Sequence, residues 1–116
     1  MVFPEGTRSV LFFGRHGTGP FCYGIKCEDP LGRWQGNHAW PYVYRVWAYD
    51  AAELALVRAG QKRPWEVKPY EVWDLSIPFP FGTKGIKGAA YDPATGRIFI
   101  AQEQQDRPLI HVYRVQ

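Results

Sequence analysis

Side chains equipped for chemistry gather at two places in this chain. Arg15 and His16 stand between glycines in Gly14-Arg15-His16-Gly17, at the exit of the apolar run Ser9 to Phe13. An imidazole and a guanidinium flanked by residues without side chains suit close approach of a ligand to the backbone. Loops at strand exits also carry sites more often than core positions do. The competing reading is a turn whose histidine makes a structural hydrogen bond. The second place is Asn37 to Tyr42, NHAWPY, where His38, Trp40 and Tyr42 follow closely on Trp34. Aromatic faces beside polar groups stack sugar rings, which are apolar on one face and hydroxylated at the rim. Against this stands the structural role of aromatics at strand starts, which fill the space between neighbouring sheets. Arg15, His16, His38 and Trp40 are expected to line one cavity if Ser9 to Phe13 pairs with Tyr42 to Tyr49. Trp34 and Tyr42 complete the candidate ligand-binding set.

No constellation for catalysis is visible. Glu28 and Asp29 are sequence neighbours and Glu103 stands at a strand end. Glycoside hydrolysis needs two carboxyls held ~5–9.5 Å apart across a cleft, which adjacent loop residues seldom achieve. Ser9 and Ser76 lack a nucleophile-elbow context, and Cys22 with His16 or His38 matches no cysteine-hydrolase signature. The glycines of Gly17 to Pro20 are followed by no Lys-Ser/Thr and open no helix, so they form no phosphate loop. His111 alternates with Ile110 and Val112 in a strand and is expected to face solvent or a neighbouring sheet. Neither metal nor cofactor is implied. Cys22 and Cys27 flank a turn containing Gly24, and this spacing makes them a candidate disulfide in an oxidising compartment. Two unpaired thiols in a reducing one are the alternative.

The elements that must position these groups are mostly strands. In 116 residues, 16% are aromatic, with 12 Gly and 10 Pro, a composition of short strands and tight turns rather than of a helical bundle. The last part, IKGAAYDPATGRIFIAQEQQDRPLIHVYRVQ, predicts a three-stranded meander of Ile86 to Tyr91, Arg97 to Gln102 and Leu109 to Val115. Asp92, Pro93 and Gly96 supply the turn chemistry of its first link. Upstream, Ser9 to Phe13 predicts a strand ending at Gly14. Tyr42 to Tyr49 predicts a second, and Trp65 to Leu75 a third that Pro69 splits or confines to an edge. Between the first two, Arg15 to Asn37 reads as an irregular excursion with a short strand at Phe21 to Ile25. Asp50 is an N-cap candidate for a helix near 51–59 closed by Gly60.

Net charge is +3, with Lys and Arg scattered singly, which gives no nucleic-acid footprint. No window approaches 18 consecutive apolar residues, so no membrane span is expected, and MVFPEGTRSV lacks a signal-peptide plan. The tetrad VYRV recurs at Val43 to Val46 and Val112 to Val115, an offset of 69 residues. That offset fits a blade period of ~40–45 residues plus the helical insertion and its flanks.

GTRSVLFFGRHGTGPFCYG, HAWPYVYRVWAYDAAEL, WEVKPYEVWDL, GAAYDPATGRIFIAQ and PLIHVYRVQ together resemble the C-terminal segment of uncharacterised, exported bacterial proteins with a β-propeller-like body. The resemblance covers nearly the whole chain and carries no catalytic residues with it. It implies a propeller-type fold, an extracellular or periplasmic location, and further blades upstream in a full member. The expectation is therefore an all-β, mainly antiparallel unit of about one and a half blades. Residues 1–76 would form an incomplete blade with loop and helix insertions, and 84–116 the terminal meander. Its function would be a non-enzymatic structural or ligand-binding module that contacts glycans or another small ligand. The alternative is a fragment of a carbohydrate-active hydrolase or lyase whose acids lie in other blades. An open strand edge predicts self-association or pairing with an upstream segment.

Overall fold

The computed structural model of the chain describes residues 1–21, 39, 41–77, 85–104 and 107–115. The protein is mainly antiparallel β with one short α-helix among the described residues. The elements are β1 (Ser9–Gly17), β2 (Tyr42–Asp50), α1 (Ala51–Arg58), a 3-10 turn (Pro64–Glu66), β3 (Glu71–Asp74), β4 (Ile86–Asp92), β5 (Arg97–Gln104) and β6 (Arg107–Arg114). They form two three-stranded sheets, ordered β1-β2-β3 and β4-β5-β6.

β1 pairs with β2, the premise of the shared-cavity expectation, in a register that sets Phe12 opposite Trp47, Gly14 opposite Arg45 and His16 opposite Val43. The strand does not stop at Gly14 but continues to Gly17. The ladder to β2 decides this: it gives Gly14, Arg15 and His16 partners at Arg45, Tyr44 and Val43, which outweighs the intrinsic cost of a glycine in a strand. Val2 extends the same sheet on the other side of β1, where it and Leu11 exchange two backbone bonds of 2.9 Å.

The third strand is shorter than Trp65 to Leu75. Trp65 lies in the 3-10 turn and is exposed, and only Glu71–Asp74 joins the ladder. Pro64 starts the turn, and the Glu66 carboxylate accepts the Arg63 N–H at 2.8 Å. Pro69 has no N–H to offer, and pairing with β2 begins where the Tyr70 N–H donates to the Ala48 carbonyl at 2.8 Å.

Side chains alternate across each sheet, and one face of each turns inward. Leu11, Val46 and Ala48 from the first sheet meet Ile98 and Ile100 from the second, with Val2 joining them. Phe13, Leu75, Ile86, Ala89, Tyr91 and Tyr113 pack around this cluster. Full burial of an isoleucine contributes about 1.5–3 kcal/mol, so Ile98 and Ile100 are principal anchors between the sheets. Gln102 is fully buried on the same face, and its Oε1 lies 2.8 Å from Nε2 of His111. His111 thus lies on the same face of the second sheet as Gln102, half-buried and bonded within its own sheet, while Ile110 and Val112 on the other face are exposed.

The helix is capped at both ends. Asp50 Oδ1 accepts the Ala52 N–H at 2.9 Å, and Gly60 takes φ 71° while its N–H reaches the Val57 carbonyl and that of Gln61 reaches Leu56. These two crossed bonds make a Schellman close, which needs the left-handed conformation that glycine adopts without cost.

Candidate functional site on the outer face of the first sheet

Strand alternation and register build two adjoining rows across β1, β2 and β3 on the face turned away from the core. One row is Phe12, Trp47 and Val72; the next is Gly14, Arg45 and Asp74. The first is apolar and the second polar, so chemistry changes sharply between neighbouring rows.

In the polar row, Arg45 Nε donates to Asp74 Oδ1 at 2.6 Å, a cross-strand ion pair between directly opposed residues. One Nη of the same guanidinium lies 2.7 Å from Nδ1 of His16. Because arginine only donates, Nδ1 must accept, which places the proton of the neutral imidazole on Nε2. The arrangement presents a fixed donor on His16, a guanidinium with further N–H groups, and the second carboxylate oxygen of Asp74. The Asp74 side chain is 67% exposed, so these groups meet solvent.

In the apolar row, the six-membered ring of Trp47 lies against Gly14, where a Cβ would come within 3.2 Å of it. Glycine at this position therefore makes room for the indole. The His16 ring is 5.9 Å from that of Trp47 and tilted by 56°. On its other side Trp47 joins Phe12, Tyr49, Leu54, Pro64 and Val67 in lining a cleft of about 390 Å³. Phe12 and Tyr49 meet edge to face at 5.5 Å. Trp47 lines the cleft and its ring neighbours that of His16 in the polar trio, so aromatic faces and hydrogen-bonding groups adjoin on one face of the sheet.

The residues singled out from sequence divide between the two faces. His16 belongs to this surface. Arg15, its neighbour in the strand, projects to the opposite face and stacks its guanidinium over the Tyr42 ring at 4.1 Å. A single cavity holding both Arg15 and His16 is thereby ruled out by the period-two geometry of β1. Trp34, His38 and Trp40 lie outside the described residues, as do Cys22, Cys27 and the Glu28 and Asp29 pair. Sequence reasoning missed Arg45, Trp47 and Asp74. The available signal was the alternation Val43, Arg45, Trp47, Tyr49 within β2, in which the one charged residue before Asp50 shares a face with the tryptophan.

A second polar hollow, of about 290 Å³, is lined by Arg8, Ser9, Asp50 and Tyr70. Its groups are engaged with one another: Arg8 with Asp50 at 2.7 Å, and the Ser9 and Tyr70 hydroxyls at 2.5 Å. They tie the start of β1 to the helix cap and to the segment before β3.

Among the described residues no group of three or more His, Cys, Asp and Glu side chains is placed to hold a metal ion, and no helix is long and apolar enough to cross a membrane. Comparison of the chain with protein-family models, with curated proteins and with solved structures gives no match.

Proposed function

We propose that the protein is a non-enzymatic β module that binds glycans on the outer face of its first sheet. The observation that carries this reading is that Trp47, which lines the cleft with Phe12 and Tyr49, has its ring 5.9 Å from that of His16, a member of the His16, Arg45 and Asp74 trio. A sugar ring offers an apolar face to an indole and hydroxyls to a polar rim, and this surface has both halves at the required adjacency. Binding is favoured over hydrolysis by the state of Asp74. Its carboxylate is engaged by Arg45, whereas glycoside hydrolysis needs two carboxyls flanking the scissile bond.

In this reading the two sheets are blade-like units of a larger propeller, and the module displays its glycan surface on an exported bacterial protein. The resemblance of the strand motifs to such proteins supports it, as do β4 and β6, each of which has one side without a ladder partner among the described residues.

Trp47→Ala tests the proposal by isothermal titration with oligosaccharides. Loss of a tryptophan at the centre of a binding patch typically costs about 2 kcal/mol or more, or roughly 30-fold in affinity. Trp65→Ala, on an exposed ring outside the cleft lining, is the control and should bind as the native chain does. Equal binding by Trp47→Ala and native protein would overturn the assignment.

A further inference from the structure

Resting on the glycan reading of this face, we infer that its ligand is an uncharged sugar and that Asp74 is the residue that excludes acidic ones. Arg45 is the cation beside Trp47 to which a uronate or sulfate would be drawn. Its Nε is already committed to Asp74 at 2.6 Å and one Nη to His16 at 2.7 Å. An anionic group approaching the guanidinium therefore meets a compensated charge and must sit beside the Asp74 carboxylate. Like charges placed so close oppose binding, and desolvating both makes the opposition stronger.

A neutral sugar meets no such penalty. Vicinal hydroxyls each donate and accept, and the trio offers both functions side by side. Asp74 Oδ2 accepts, while the remaining N–H groups of Arg45 and the Nε2–H of His16 donate. The ion pair also holds these groups in place before a ligand arrives, since Arg45 and Asp74 are opposed residues on adjacent strands. The neighbouring cleft points the same way. Its lining of Phe12, Trp47, Tyr49, Leu54, Pro64 and Val67 adds aromatic and aliphatic surface and no charge.

The test is an immobilised array carrying neutral gluco-, galacto- and manno-oligosaccharides alongside oligogalacturonates and sulfated oligosaccharides, probed with the native chain and with Asp74→Asn. The native chain should bind neutral members and ignore acidic ones. Asp74→Asn frees the guanidinium, so it should gain binding to oligogalacturonate while its affinity for the neutral ligand falls about tenfold through loss of a charged acceptor. Circular dichroism checks that the variant folds, and adding Arg45→Gln to Asp74→Asn should abolish the acquired acidic binding. Native protein that prefers acidic members, or an Asp74→Asn variant with unchanged selectivity, overturns the inference and leaves the glycan reading standing. Absence of binding to every member removes both.

Discussion

At the scale of single residues, burial sets the chemistry of Tyr113. Desolvation raises its phenol above the ordinary value of 10.0, and its hydroxyl donates to the Ser76 carbonyl at 3.1 Å. A raised phenol means the fold favours the neutral form. The contribution to stability is therefore complete below the unfolded value near 10 and is lost as pH rises through the folded one. Chemical denaturation of the native chain should show stability declining above about pH 10, and Tyr113→Phe should flatten that decline while lowering the plateau below it. A Tyr113→Phe curve parallel to the native one across the alkaline range would contradict the assignment. Elsewhere the sequence was readable residue by residue where the chemistry is local. Asp92 accepts the Ala94 N–H at 3.0 Å and the Thr95 hydroxyl at 2.5 Å, and Gly96 takes φ 66°. Each behaves as turn chemistry requires. Arg45 and Asp74 were not legible because their partnership spans 29 positions and depends on the β2 to β3 register, which no local pattern encodes.

At the scale of elements, the junction of β2 and α1 shows how one side chain organises several segments. Asp50 ends the strand, caps the helix through Oδ1, and holds Arg8 through Oδ2 at 2.7 Å. Asp50→Ala should lower stability by about 1 kcal/mol, the usual cost of an N-cap, and helical ellipticity should fall with it. The Arg8 bond adds little, because that side chain is 77% exposed. An unchanged thermal midpoint would show that tertiary packing and not the cap holds α1. The helix, its cap and its glycine close were all legible, as was the terminal meander, because caps and turns act over three or four residues. Strand lengths were less so. β1 outran its glycine and β3 fell short of the stretch from Trp65, since in each case pairing with β2 sets the limit. The two VYRV copies occupy different places, one in the central strand β2 and the other at the end of the edge strand β6, so what they share is only the alternation of a strand. In both copies the tyrosine, Tyr44 or Tyr113, faces inward, and the arginine, Arg45 or Arg114, faces outward.

At the scale of the whole molecule, two sheets share one core while leaving their outer faces different. The first carries the aromatic and polar surface. The second exposes Ile110 and Val112, and β4 and β6 each have one side without a ladder partner among the described residues. Exposed apolar side chains beside an unpaired strand edge favour pairing between chains. Light scattering should give a molar mass that rises with concentration. A constant monomer mass would show that both edges are covered.

The central claim, that glycans bind on the outer face of the first sheet, is tested most directly by mapping amide chemical shifts as a neutral oligosaccharide is titrated into the labelled chain. The account predicts perturbations concentrated at Phe12, Gly14, His16, Arg45, Trp47 and Asp74, with the second sheet unmoved. Perturbations centred on Ile110 and Val112, or around Arg15 and Tyr42 on the opposite face, would contradict it.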